Sequence, residues 1–208
     1  MNNRGPIIYI VDDDISVCRA LSLLLESHGF KVNTFTRSKD FLACKHLKVP
    51  SCLVLDIRLP DINGLTLQDT MAVRKLTIPI IFITGHGDIP MSVRAIKAGA
   101  VDFLPKPFTK KKLLNAVTLA IVKNKVQMKE QAEIAKIKRR VRTLSPRELE
   151  VFRLVAKGVL SKQIALKRGT VLQTIKVHRG RVMQKMQAKT VTELIHFAQK
   201  GGITSFQG

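Results

Sequence analysis

Ile7-Ile8-Tyr9-Ile10-Val11-Asp12-Asp13-Asp14 sets a short apolar run directly before three consecutive carboxylates. A continuous apolar, β-branched run reads as a strand buried on both faces. The carboxylates must then emerge at its carboxyl end. The pattern repeats outward from this stretch. A helical periodicity from Ile15 to His28 closes at Gly29, and Lys31–Phe35 reads as a second strand. Ser38–His46 reads as a short helix with Ser38 as N-cap. Cys52–Leu55, Ile80–Thr84 and Val101–Leu104 supply three more strands, separated by helical patterns over Leu65–Lys75 and Met91–Ala98. Five βα repeats predict a doubly wound, five-stranded parallel sheet covered on both faces.

The remaining composition bounds the reading. A chain of 208 residues with 45% hydrophobic content is consistent with two domains. Lys and Arg total 36 against 15 Asp and Glu, a formal net charge of +21 that favours polyanions, nucleic acid first. The basic and acidic counts are 16 and 10 in residues 1–122, 8 and 2 in 123–143, and 12 and 3 in 144–208. The surplus is therefore densest beyond the βα repeats. No apolar run approaches the ~20 residues that span a bilayer. Met1–Pro6 lacks a signal-peptide pattern, so a cytoplasmic protein without a membrane partner is expected. Cys18, Cys44 and Cys52 have no metal-type spacing and read as small buried residues in a reducing compartment.

From Thr109 a helical pattern runs into a basic stretch, 123–143. It reads as a helical linker whose apolar Val126, Ile134, Ile137 and Val141 form either a loose seam or a solvated face. Ser145-Pro146-Arg147-Glu148 is a capping box with proline at the first helical position, and Thr190-Val191-Thr192-Glu193 is a second box. Between them, helices are expected to Lys157, from Ser161, and over Leu172–Met186. Four short helices in 144–208 predict an all-α helix-turn-helix domain.

Ligands in open α/β sheets bind beyond the carboxyl ends of the strands. Asp12, Asp13 and Asp14 follow the first strand, Asp56 ends the third, Thr84 ends the fourth and Lys106 follows the fifth. Carboxylates gathered there call for a hard cation such as Mg²⁺. A lysine and a hydroxyl beside them suit an acyl phosphate. For Asp14, capping the following helix is the preferred reading.

Val11-Asp12-Asp13-Asp14, Leu55-Asp56-Ile57-Arg58-Leu59-Pro60, Ile83-Thr84-Gly85-His86-Gly87-Asp88 and Phe103-Leu104-Pro105-Lys106-Pro107-Phe108 resemble flavodoxin-like receiver domains. They are especially similar to those of the NarL/FixJ family of two-component response regulators. The resemblance implies Asp56 as phosphoacceptor, and Mg²⁺ held by Asp12, Asp13, Asp56 and the backbone carbonyl of Arg58. It implies Lys106 as partner of the phosphoryl group, with a cis bond to Pro107, and Thr84 with Phe103 as a switch pair. Arg58 and His86 are expected to tune the lifetime of the phosphate. Val93, Lys97 and Asp102 are the candidates for a dimerisation face.

Leu144–Glu148, Lys162–Ala165 and Thr174–Arg179 are similar to LuxR-type helix-turn-helix domains, as is Val182–Ala188. The third of the four helices would then enter the major groove. Helical spacing gives it an apolar stripe of Leu172, Ile175, Val182 and Met186. The opposite face carries Gln173, Thr174, Lys176, Val177, Gly180 and Gln184. Lys176 suits guanine acceptors and Val177 a thymine methyl, while Arg179, Arg181 and Lys185 suit phosphates. Gly180 would allow close approach to the groove. The turn departs from the family pattern: Arg168 stands where an apolar anchor is expected, and Thr170 is the candidate cap.

Two catalytic alternatives fail on residues. Pro90 occupies the third position of a dinucleotide-type glycine motif begun by Gly85 and Gly87, and Arg58 stands where a phosphatase of the haloacid dehalogenase type needs a second aspartate. The expectation is not a turnover enzyme but a phosphorylation-dependent regulator, an activator by the family resemblance, that slowly hydrolyses its own aspartyl phosphate. Its implied partners are a sensor histidine kinase, double-stranded promoter DNA, RNA polymerase and, once phosphorylated, a second copy of itself.

Overall fold

The computed structural model describes residues 5–45, 49–85 and 89–203. Strands β1 (Ile7–Val11), β2 (Lys31–Phe35), β3 (Ser51–Asp56), β4 (Ile80–Thr84) and β5 (Asp102–Pro105) form one parallel sheet in the order β2-β1-β3-β4-β5. The chain runs outward from β1 in both directions, so β1 and β3 flank the topological switch point. Register places Val11 beside Leu55, Asp56 beside Ile83, and Thr84 beside Pro105. The ends of β1, β3, β4 and β5 thus share one edge.

Alternate strand residues face opposite cores. Ile8, Ile10, Cys52, Val54, Ile81 and Ile83 pack with helix α1 (Ile15–Glu26) and the first part of α5 (Lys110–Val141). Ile7, Tyr9, Val11, Leu53, Leu55 and Phe82 pack with α2 (Ser38–Ala43), α3 (Gly64–Val73) and α4 (Ile89–Lys97). This alternation is why β1, β3 and β4 are buried at every position, whereas the edge strand β2 exposes Lys31, Asn33 and Thr34.

Several helix ends differ from expectation. Helix α1 stops at Glu26, because Gly29 adopts a positive φ of 82° and the chain turns over Ser27–Phe30. Ser38 is not the cap of α2. Arg37 holds that position without a side-chain bond, and the carboxylate of Asp61 does the capping from across the fold. It accepts the backbone N–H groups of Ser38 (3.2 Å) and Lys39 (3.0 Å) and the Ser38 hydroxyl (2.8 Å). His46, the expected end of that helix, lies outside the described residues. Helix α3 starts one residue before Leu65, capped by Asn63, and α4 starts two before Met91.

The chain divides into two compact units, Met1–Met128 and Lys129–Gly208. Helix α5 supplies side chains to both cores. In the first unit Asn124 is buried, accepting the Ser51 N–H (2.9 Å) and donating to the Thr77 carbonyl (3.1 Å). In the second unit Ile137 is 1% exposed and Val141 packs against the same core. The stretch expected as a linker is therefore unbroken helix with inward-facing residues, although Val126 remains exposed.

The second unit adds α6 (Pro146–Ala156), α7 (Ser161–Lys167), α8 (Leu172–Met186) and α9 (Val191–Lys200). The Ser145–Glu148 capping box forms in both directions. The second box closes by half: Thr190 accepts from the Glu193 N–H, but the Glu193 carboxylate takes the Lys189 N–H instead. Arg140 reaches the Met186 carbonyl (3.0 Å) and lies over the Phe197 ring, and Lys200 pairs with Glu133 (2.5 Å). The tail of α5 is thus part of this core.

Removing a fully buried Ile side chain typically costs about 2–5 kcal/mol. Ile137→Ala should lower the urea midpoint of the 129–208 fragment by a corresponding amount, and a fragment beginning at Leu144 should be less stable still.

Candidate functional site

The sheet register brings three charged side chains together. Asp12, just past β1, is 1% exposed, and Asp56, the last residue of β3, is 6% exposed. The Lys106 ammonium, just past β5, donates to Asp12 Oδ2 at 2.7 Å and to Asp56 Oδ1 at 3.0 Å. The remaining oxygens are also engaged. Asp12 Oδ1 accepts the Asp14 N–H (3.0 Å), and Asp56 Oδ2 accepts the Arg58 N–H (2.6 Å). Cys18 donates its thiol to the Asp12 carbonyl from below. The Lys106–Pro107 bond is cis, as expected, and the Lys106 N–H donates to the Thr84 carbonyl (2.7 Å).

Burial pushes the Asp56 carboxyl above its ordinary range, while the hydrogen bond and charge of Lys106 oppose that rise. Burial alone would lower Lys106, but its bonds to Asp12 and Asp56 outweigh it and hold the ammonium up. Lys106 is therefore held in its charged form against the buried carboxyl groups of Asp12 and Asp56.

Other expected residues fall around this centre. Asp14 caps α1, accepting the N–H groups of Ser16 (2.7 Å) and Val17 (3.4 Å). Asp13 is exposed at the edge, as is Arg58. Thr84 is buried at the end of β4, and Phe103 is half-buried with its ring 6.4 Å from that of Phe82. Val93 and Lys97 are exposed on α4, and the Asp102 carboxylate accepts the Phe103 N–H (2.8 Å). His86 lies outside the described residues.

Asp12, Asp13, Asp56 and the Arg58 carbonyl are hard oxygen donors of the type Mg²⁺ prefers. Among the described residues, no three acidic, His or Cys side chains converge closely enough to hold an ion as they stand. Lys106 lies between two of the carboxylates and the third is exposed. The donor chemistry fits; the arrangement is that of a site neutralised by lysine.

Sequence reading missed Gly64. A Cβ there would lie 2.6 Å from the Asp56 carbonyl oxygen and 3.0 Å from the Ile57 Cα. Only glycine lets the start of α3 close on the end of β3, where the Gly64 N–H donates to the Ile57 carbonyl.

In the second unit, α8 exposes Gln173, Thr174, Lys176, Val177, Gly180 and Arg181, and buries Ile175, Val182 and Met186. Leu172 departs from the expected stripe, being 38% exposed. Arg179 is half-buried, with Nη1 3.4 Å from the Ser161 hydroxyl. Lys185 is not a free cation: it binds Glu148 Oε2 at 2.6 Å and the Thr143 carbonyl at 3.1 Å, bracing α8 against α6. Its hydrogen bond, with that of the Ser145 N–H, holds the Glu148 carboxyl below its ordinary range. Thr170 is not the cap of α8. Val171 holds that position without a side-chain bond, and Arg168 caps α7 while pairing with Glu150.

A doubly wound sheet with a Lys-bridged carboxylate edge, joined to a helix-turn-helix unit, defines a receiver domain coupled to a DNA-binding domain. The model of the response regulator receiver domain matches residues 8–118, and that of the luxR family of bacterial regulatory proteins matches 142–198. The chain is 46% identical to Nodulation protein W of Bradyrhizobium diazoefficiens over 96% of this chain and 88% of that protein. It is 38% identical to the transcriptional regulatory protein FixJ of the same organism over 98% of each. The solved structure of response regulator StyR is 40% identical and superposes with a TM-score of 0.82 over 94% of this chain and 99% of that one. The chain belongs to the NarL/FixJ-type two-component response regulators, and is a phosphorylation-dependent, DNA-binding transcription regulator. Among the described residues no helix is long and apolar enough to cross a membrane.

Overpacking a tight contact costs about 1–3 kcal/mol. Gly64→Ala should lower the urea midpoint accordingly and displace the backbone at Asp56, seen as shifts of the Asp56 and Ile57 amide resonances.

Proposed function

We propose that Asp56 is the phosphoryl acceptor of this regulator. The observation that carries the reading is the Lys106 ammonium shared between Asp12 and Asp56. A carboxylate oxygen of Asp56 attacks the phosphorus of a kinase phosphohistidine or a small acyl phosphate. The new P–O bond forms as the bond to the leaving imidazole or carboxylate breaks. Lys106, already in place, then pairs with the incoming phosphoryl oxygens. Asp12, Asp13, Asp56 and the Arg58 carbonyl are the residues that would hold Mg²⁺, which supplies neutralisation of the added negative charge.

The added charge biases a packing element. The Thr84 hydroxyl turns to the phosphate and the Phe103 ring moves inward, changing the face that carries Val93, Lys97 and Asp102. That face then pairs two copies, and two DNA-binding units engage paired half-sites. The receiver's function lies within 1–122 and the DNA-reading helices within 144–208, while the stretch 123–143 that joins them lends Asn124 to the first core and Ile137 to the second. Gln173, Thr174, Lys176, Val177 and Gly180 face the bases, while Arg179 and Arg181 grip phosphates. Lys185 acts as a brace. The regulator works in the cytoplasm with a cognate sensor histidine kinase and RNA polymerase, activates transcription, and slowly hydrolyses its own aspartyl phosphate.

Asp56→Asn should take up no phosphate from acetyl phosphate with Mg²⁺ and should stay monomeric in light scattering under conditions where the wild type dimerises. Dimerisation of the variant on phosphate-donor addition would contradict the reading. Gly180 has open space around the position of a Cβ, so internal packing does not require it. Gly180→Ala should therefore stabilise the DNA-binding unit by about 1 kcal/mol. It should nevertheless weaken promoter binding in a gel shift at fixed salt; unchanged or tighter binding would show that close approach is not its role.

A further inference from the structure

The unusual turn residue Arg168 has a structural consequence. Its guanidinium turns to Glu150 on α6, so no apolar side chain from the turn fills the space beneath it. A cavity of about 200 Å³ remains between α6, α7 and the start of α8. Its floor is core: Val151, Ile164 and Ile175. Its rim carries two guanidiniums, Arg147 and Arg168, against the single carboxylate of Glu150, which pairs with both. One positive charge is left uncompensated. In the wall, His178 Nδ1 is buried and has no hydrogen-bond partner, a state that normally signals a missing one.

We propose that this cavity is a binding site for a small organic carboxylate with a compact apolar body. The three features specify the ligand class independently. The apolar floor takes a ring or short alkyl group, and the surplus guanidinium charge takes one carboxylate in charge-assisted hydrogen bonds. His178 Nδ1 supplies a buried polar contact. The volume admits a molecule of about the size of benzoate and excludes a peptide or nucleotide. Because Thr174 lines the cavity and is also exposed on the groove-facing side of α8, occupancy lies next to the DNA-reading surface.

Benzoate is a suitable probe, with benzamide as its uncharged counterpart, titrated into the full chain while the His178 ring resonances are followed by NMR. Benzoate should shift them saturably in the millimolar range, and benzamide should bind at least about tenfold more weakly. Arg168→Leu supplies the missing apolar anchor, so it should retain the fold and lose the benzoate response. Glu150→Gln removes the competing carboxylate and should tighten benzoate binding by about tenfold. Absence of a saturable shift, equal binding of benzamide, or an undiminished response in Arg168→Leu would each overturn the proposal. So would an Arg168→Leu variant whose only change is a lower affinity and shallower salt dependence for DNA, since the rim would then be a phosphate contact.

Discussion

The Lys106 ammonium, held between the buried carboxyl groups of Asp12 and Asp56, is the interaction that organises the carboxyl edge of the receiver's sheet. Two carboxylates at the edge of an apolar sheet repel each other and lose hydration. Lysine offsets both costs, and backbone N–H groups of Asp14 and Arg58 satisfy the oxygens it does not reach. Such a centre contributes little net stability, because desolvation consumes most of the Coulomb gain. What it provides is position. The sheet brings the ends of β1, β3 and β5 to one edge, the cis Lys106–Pro107 bond follows β5, and Gly64 lets α3 close beneath Asp56.

The two units use similar devices on different scales. In the first, Asn124 ties α5 to the first residue of β3 and to the backbone before β4 through one buried amide. In the second, buried Glu148 caps α6 and pairs with Lys185, fixing the far half of α8 while its other face stays exposed. The exposed face of α8, with Lys176, Val177 and Gly180, thus has its opposite side held by packed and ion-paired groups. Lys185 belongs to that support, its ammonium being committed to Glu148 and the Thr143 carbonyl.

What could be read from the residues follows from the range of the forces involved. Apolar runs such as Ile7–Val11 declare buried parallel strands, and the βα alternation of five strands with their intervening helices dictates which strand ends meet. Asp12, Asp56 and Lys106 were legible for that reason, although they are far apart in the chain. The Ser145–Glu148 box was legible because it is local. Asp61 capping α2, Gly64 against Asp56 and Lys185 against Glu148 were not, since each depends on a contact distance that no periodicity encodes. Ser38 and Thr170 show the converse. Each is a good local cap, yet tertiary contacts replaced the first with Asp61, and the turn around Gly169 placed Val171 at the helix start.

In the proposed mechanism the phosphorylation state of Asp56 governs occupancy of DNA by α8. Genome-wide promoter occupancy of the full chain, compared between cells carrying the wild type and Asp56→Asn at equal protein levels, tests it most directly. The wild type should give discrete promoter peaks that are lost or strongly reduced in the variant. An unchanged set of peaks at unchanged height would contradict it.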